Sequence, residues 1–423
     1  AAPVVLEPAA TAAPLPRADR IRAAVQRALE DPLLGDRVSA EVIDLATGSS
    51  LYRHRADLPT IPASTVKLVT AVTVLTARNP ADRIPTTAVA GAEPGEVVLV
   101  VGGDPTLAID ATGAYPGAAR LDDLADQVRE SLGGREITKV TVDSTVFTGP
   151  VHGPWDADIP GGGYVGPITG LMTDAGRVDP ERVTMPAKRW QEPDLAAGRA
   201  FAELLGVAPD TVRRGEAPAR GGQATAASAG PAAAPGAATP GGPLPPGTPL
   251  GRVYSPPIQR LVEIMLLDSD NVIAEALARQ VAMARGQPAS FAGAADAMGE
   301  VLVDLGLPTS GLRLADGSGL SRENKVPASL LTAVLSLAAD PDRPQLAAIF
   351  PGLPVAAWSG TLAQRFEGED LTAGAGVVRA KTGTLLGVHA IAGTVTTREG
   401  RVLGFAFLAD EVAGSQEQAR ELL

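Results

Sequence analysis

Three short stretches of the chain carry side chains that together can run serine acyl transfer: Ser64-Thr65-Val66-Lys67, Ser269-Asp270-Asn271 and Lys381-Thr382-Gly383. A serine hydroxyl is a weak nucleophile until a neighbouring base takes its proton. At i and i+3 of a helix, Ser64 and Lys67 face the same side, so Lys67 is the candidate general base. Ser64 in the first turn lies where unpaired N–H groups and the helix dipole favour developing negative charge. Burial of Lys67 disfavours its ammonium form, and Lys381 as a second cation would do the same. Ser269 can relay a proton between Lys67 and a leaving amine. Asn271 offers an amide that can hold both a substrate amide and Lys67. Lys381-Thr382-Gly383-Thr384 ends a candidate strand, against which an extended peptide can pair. Gly383 lets a substrate backbone approach closely, and Lys381 with the hydroxyls of Thr382 and Thr384 suits a terminal carboxylate. The backbone N–H groups of Ser64 and Thr384 would form the oxyanion hole.

Each motif alone has a plainer reading. Ser64 can be a helix cap, Lys67 a solvated side chain and Lys381-Thr382-Gly383 an ordinary strand end. Composition weighs against these. Lysine occurs only at 67, 139, 188, 325 and 381, and asparagine only at 79, 271 and 324. A chance Ser-x-x-Lys is expected about 0.2 times, Lys-Thr-Gly about 0.05 times and Ser-Asp-Asn about 0.01 times, so the trio is specific where the first motif is not. Asp270 reads as structural or exposed and is left out of the chemistry. Asp104 and Asp174 read as turn residues, and His389 as a packed or surface histidine.

Other classes fall away on composition. The chain has no cysteine, which excludes disulfides, thiol catalysis and zinc–thiolate sites. His54, His152 and His389 show no metal-ligand spacing and suit neither a metal site nor a Ser-His-Asp triad. A net charge of −12 with no basic stripe argues against nucleic acid as a partner. No apolar run approaches the roughly 20 residues needed to span a bilayer. The start at Ala1-Ala2-Pro3 is read as a trimmed, mature form, and an extracytoplasmic location is expected.

The elements that must position these motifs come from both ends of the chain. Ala18 to Glu30 has helical spacing of Ile21, Val25 and Leu29, and Val38 to Leu45 with Leu51 to Arg53 reads as an antiparallel hairpin. Leu68 to Ala77 reads as a buried helix entered at Pro62 and stopped at Asn79-Pro80. Val377 to Lys381 reads as a strand. Val388 to Thr397 and Arg401 to Ala409 form a hairpin turned at Glu399-Gly400, and Ser415 with Gln418 resembles a capping box. Terminal helices on one antiparallel sheet make an α+β domain from residues 1–79 and 257–423. Residues 80–256 form a large inserted mixed α/β domain, with strands at Val97 to Val101 and Lys139 to Val142 and a helix from Leu121 to Leu132. Within it, 216–251 is nearly pure Ala, Gly, Pro, Thr and Ser and is expected to be a disordered loop. Residues 1–17 read as a loose arm.

The trio occurs together in β-lactamases and penicillin-binding proteins. The chain resembles a low-molecular-mass penicillin-binding protein of the D-alanyl-D-alanine carboxypeptidase/endopeptidase type (class C, serine peptidase family S13). The separation of 205 positions from Ser64 to Ser269 carries that resemblance. So do Val101 to Leu107, Ser255-Pro256-Pro257, Leu266-Leu267-Asp268, Asp316 to Arg322 and Gly360-Thr361-Leu362. It covers about residues 20–423 apart from 216–251. The resemblance implies a penicillin-binding/β-lactamase-like transpeptidase fold, with an antiparallel sheet flanked by helices and a helical subdomain. It also implies attack by Ser64 on the D-Ala-D-Ala bond of a peptidoglycan stem peptide, endopeptidase action on cross-links, acylation by β-lactams, and no cofactor or metal. Asp316 to Arg322 is placed near the cleft without assigned chemistry. Two alternatives remain: a β-lactamase, and a penicillin- or peptidoglycan-binding scaffold without turnover.

Overall fold

The computed structural model describes residues 13–218, 244–366 and 372–413, with Gln418 and Leu422. Ser415 and the middle of the low-complexity stretch, 219–243, lie outside the described residues. The chain divides into two compact units, one of Ala1–Asp82, Gly153–Ile159 and Ile258–Leu423, the other of Arg83–His152 and Pro160–Pro257. Ten strands occur among the described residues: β1 Val38–Asp44, β2 Ser50–His54, β3 Arg83–Ala90, β4 Glu96–Val101, β5 Lys139–Asp143, β6 Arg213–Arg214, β7 Pro249–Pro257, β8 Val378–Leu385, β9 Val388–Thr396 and β10 Val402–Ala409.

In the first unit, β2-β1-β10-β9-β8 form one antiparallel sheet. The two ends of the chain meet where Val38 pairs with Ala409. Every residue of β1 is buried, as are the first seven of β9, so this sheet is covered on both faces. Val38, Val42, Ile391, Leu403 and Phe405 share a core with Ile21 and Leu29 of the Ala18–Leu29 helix. The Lys67–Ala77 helix is buried from Lys67 to Leu75. Rich in β-branched Val and Thr, it is a weak helix former and is held by packing on all sides. Its threonine hydroxyls find backbone acceptors: Thr73 on Val69 O and Thr76 on Val72 O. The Asn271–Ala284 helix packs on it and starts at Asp270, whose Oδ1 accepts the N–H groups of Val272 and Ile273 at 2.9 and 3.0 Å. Asp270 is therefore an N-cap. It is structural and buried, not exposed.

In the second unit the strand order is β6-β5-β4-β3-β7. β4, β5 and β6 are parallel, whereas β3 is antiparallel to β4 and β7. Helices Leu121–Leu132 and Pro193–Leu204 supply Leu124, Val128 and Phe201 to a core with Val97, Leu99, Val140 and Val142. The C-terminal part of the expected loop is corrected here. Residues 249–251 belong to β7, with Gly251 opposite Ala88 and Leu250 buried. Composition alone hides this strand because its order comes from β3, a partner distant in sequence. Asp104 accepts the N–H and hydroxyl of Thr106 and serves a local turn, whereas Asp174 accepts the N–H of Ala114, sixty residues away, and ties two distant segments; both are buried.

Candidate active site

Ser64 lies in a single 3-10 turn, Ala63–Val66, that runs directly into the Lys67–Ala77 helix. With three residues per turn, side chains at i and i+3 eclipse, which aligns Ser64 and Lys67 more closely than an α-helix would. Lys67 Nζ stands 2.9 Å from Ser64 Oγ. Ala63 has φ 45°, a left-handed conformation that costs an alanine roughly 1–3 kcal/mol and persists only where the surroundings enforce it. Two glycines enforce it. A Cβ on Gly319 would lie 1.9 Å from Ala63 O, and one on Gly383 would lie 2.7 Å from Pro62 O and 3.0 Å from Ser64 N. The expectation for Gly383 is thereby modified. Its missing side chain is needed first for β8 to pack against the backbone of the nucleophile turn.

The Lys67 amine has two further contacts, Asn271 Oδ1 at 2.7 Å and Ser318 O at 2.6 Å. Both are pure acceptors in this geometry, whereas the Ser64 hydroxyl can donate or accept. A neutral amine has two N–H groups and one lone pair. With Asn271 and Ser318 engaging the two N–H groups, the lone pair is left facing Ser64 Oγ–H. This is the arrangement a base needs. Ser269 occupies the turn just ahead of Asp270, buried and left-handed at φ 56°.

Burial is the main force on the amine. It brings Lys67 down to about 8, against the opposing pull of Asp316, Glu275 and Asp270. Lys381 is also fully buried and held well below the ordinary lysine range, by burial first and by the Lys67 charge second. The repulsion between the two ammonium groups is mutual, so it adds to burial in holding down the pair, with burial the first cause for each lysine. Lys381 Nζ donates to Thr382 O at 2.7 Å.

β8 is the outermost strand of its sheet. On its outer side the N–H of Ala380 donates to Pro354 O at 3.0 Å. The pairing with β9 runs without a register shift to Leu385, so the two-residue period sends the N–H groups of Thr382 and Thr384 to that same outer side. Gly383, the residue before Thr384, lies against Ser64 N, where an added Cβ would come within 3.0 Å. The Thr382 hydroxyl meets that of Thr361 at 2.8 Å. His389 pairs with Thr384 across the ladder and is buried.

Some participants are placed near the cleft by the resemblance but given no chemistry, and sequence reading misses Glu275 altogether. Ser318 contributes a carbonyl, which any residue type could supply. Its loop is tied down by Asp316, whose Oδ1 accepts the Gly319 N–H and whose Oδ2 accepts the Ser321 N–H and the indole N–H of Trp155. Trp155 meets Phe291 edge-on at 5.4 Å, and Arg279 lies 4.1 Å over the Phe291 ring. The Trp155 contact explains why Gly153–Ile159 clusters with the first unit. Glu275 is fully buried beneath the same loop. Its spacing of four residues from Asn271, on one helix face, is the signal that could have found it.

The model of the D-Ala-D-Ala carboxypeptidase 3 (S13) family matches residues 21–202 and 236–422. A carboxypeptidase of Mycobacterium tuberculosis is 39% identical over 98% of this chain and 85% of its own length. A D-alanyl-D-alanine carboxypeptidase of an Actinomadura species is 31% identical over 91% of this chain and 80% of its own. The crystal structure of penicillin-binding protein 4 (DacB) from Haemophilus influenzae superposes with a TM-score of 0.71 at 20% identity, covering 95% of this chain and 96% of that one. A complex of that protein with a novel β-lactam superposes at 0.66, with 19% identity and the same coverage. These structures share the penicillin-binding/β-lactamase-like fold, and the α+β architecture expected from the sequence holds.

Proposed function

The chain belongs to the D-Ala-D-Ala carboxypeptidase 3 (S13) family, and from that premise we propose that it is a serine D-alanyl-D-alanine carboxypeptidase acting through an acyl-enzyme on Ser64. The observation that carries this reading is the Lys67 amine, held by Asn271 and Ser318 and facing the Ser64 hydroxyl. Lys67 takes the hydroxyl proton as Ser64 Oγ attacks the carbonyl between the last two D-alanines. The N–H groups of Ser64 and Thr384 stabilise the oxyanion. The proton passes by way of Ser269 to the leaving amine, D-alanine departs, and water then hydrolyses the ester. Asn271 orients Lys67 and the substrate amide.

The outer edge of β8 receives the peptide as an added strand. Thr382 and Thr384 bind the terminal carboxylate by their hydroxyls. Lys381, buried against its own strand, acts on that carboxylate through its field, and the anion supplies the counter-charge that favours the ammonium form. A substrate whose scissile bond lies in a cross-link presents the same D-alanyl carbonyl, so endopeptidase action uses the same residues. Penicillins acylate Ser64. The carboxylates that act on Lys67 are each engaged by backbone N–H groups, which supports a long-lived adduct instead of β-lactamase turnover.

No helix among the described residues is long and apolar enough to cross a membrane. A peptidoglycan substrate supports an extracytoplasmic location, periplasmic or secreted and cell-wall associated. The test is Ser64→Ala. It should abolish D-alanine release from a stem peptide, and mass spectrometry should find the penicillin adduct of the unaltered protein on the peptide carrying Ser64. Release that survives the substitution sinks the reading.

A further inference from the structure

We propose that Glu275 is a positioning residue for Lys67, its carboxylate fixing the Ser318 carbonyl that holds the amine and so aiming the lone pair at Ser64. The inference rests on the acyl-transfer reading and deepens it. Glu275 Oε1 accepts the N–H of Gly317 at 3.2 Å and of Ser318 at 2.9 Å, while its other oxygen lies 3.4 Å from Arg279 Nη1. The side chain is wholly buried. The loop it grips has little slack. A Cβ on Gly317 would come 2.6 Å from Ala278 Cβ and 3.0 Å from Ala274 O, and the Thr70 hydroxyl holds Gly317 O at 2.7 Å.

Glu275 and Asn271 are one helical turn apart and share a face. Both acceptors of the amine therefore depend on that face, Asn271 Oδ1 directly and Ser318 O through Glu275. Asp316 secures the 319–321 side of the loop, and Glu275 secures the 317–318 side that touches Lys67. A buried carboxylate accepting two backbone N–H bonds is a rigid anchor. A loop left to itself would allow the carbonyl to drift, and the lone pair with it.

The same carboxylate acts on the amine electrostatically. Its negative charge favours the Lys67 ammonium. The charged groups facing Glu275 are Arg279 on its own helix, Asp316 on the loop and Lys67 on the facing helix. Burial first and Asp316 second raise Glu275 to about 7, so its charge is itself set within the working pH range. Glu275 thus does two opposed things. It aims the base, and it makes the base harder to deprotonate. Two substitutions separate them, because glutamine keeps the acceptor oxygen and removes the charge whereas alanine removes both.

The experiment measures the rate of Ser64 acylation by a fluorescent penicillin from pH 5 to 10, per mole of folded protein, for the wild type, Glu275→Gln and Glu275→Ala. The Gln variant should keep its high-pH rate within about threefold while the acid limb of its profile moves to lower pH by about half to one unit. The Ala variant should be slower at every pH, by about tenfold or more, since the base is no longer aimed. An Ala variant that acylates at the wild-type rate, or a Gln variant whose limb does not move, overturns the proposal. If the Ala variant does not fold by circular dichroism, the limb of the Gln variant decides alone. A wild type that takes no label at Ser64 overturns the acyl-transfer reading and this inference with it. A labelled wild type beside an unmoved Gln limb overturns only the role of Glu275.

Discussion

Both units bury carboxylates, and the two sets behave differently. In the second unit Asp104 serves the turn at Thr106, Asp174 the backbone at Ala114, and Asp194 an ion pair with Arg214 and a contact with Ser144. Each serves its own partners, and the three do not converge on one group. In the first unit Asp270 caps a helix, Glu275 grips Gly317 and Ser318, and Asp316 grips Gly319 and Ser321, yet the fields of all three fall on one amine, Lys67. Buried charge, taken singly, is therefore a poor marker of a site. Asp104 is raised to about 6 and Glu275 to about 7, nearly alike, but only one of them belongs to a constellation. The marker is convergence, in which side chains from separate segments meet at a titratable group beside a nucleophile.

The sharpest test of that contrast is Lys67→Gln. Acylation of Ser64 by penicillin should fall by about 10²–10⁴, the usual worth of a positioned base, with the fold retained. In the unaltered protein the rate should rise as pH climbs through about 8, because the base works only when neutral. A rate that fell over that interval would remove Lys67 from the role.

Next in size comes Asp104→Asn, which probes the second unit. The folded-state value of Asp104 is raised by burial from 3.8 to about 6, so the folded chain binds its proton more tightly than the unfolded chain does. Stability should fall as pH rises from about 4 to 6, by at most about 3 kcal/mol, and the Asn variant should lose that slope in denaturant titrations. Penicillin acylation should stay at the wild-type rate. If it slowed, Asp104 would not be local and the contrast would break.

Gly383→Ala should cost about 1–3 kcal/mol, since the new Cβ meets backbone atoms that cannot swing away. It should also slow acylation, because the backbone displaced is that of Ser64. Calorimetry and labelling read the two effects. The smallest effect is expected from Asp270→Ala, which removes an N-cap worth about 1 kcal/mol. The drop should appear in the thermal midpoint, and a drop of several kcal/mol would mean that Asp270 is more than a cap.

How much of this was legible depended on where the information lay. The first and last elements, Val38 to Leu45, Leu68 to Ala77 and Val388 to Ala409, announce themselves by apolar pattern and turn residues. The α+β architecture follows from their order. β7 was not legible at Pro249, because its low-complexity lead-in carries no pattern and its order comes from pairing with β3. Ser64, Lys67, Ser269, Asn271 and Lys381 stood out because lysine and asparagine are scarce in this chain. Ser318 lay in the stretch placed near the cleft, but its role was not legible, because what it contributes is a carbonyl. Asp316 was placed near the cleft only by the resemblance and without a role, and Glu275 did not stand out because acidic residues are common and nothing in a linear chain marks which of them are buried together.

The sequence by itself determined the reactive groups and their chemistry, since hydroxyl, amine and amide reactivity belongs to side-chain type and i to i+3 spacing is a local matter. The tertiary structure decided how that chemistry is set. It turned Ser64 into a strained 3-10 turn clamped by Gly319 and Gly383. It buried Lys67 until desolvation, the largest cause, brought its proton within reach. It also gave the amine two fixed acceptors from segments more than two hundred residues away in the chain. Burial and the direction of a lone pair are properties of packed neighbours, and no single stretch of sequence contains them.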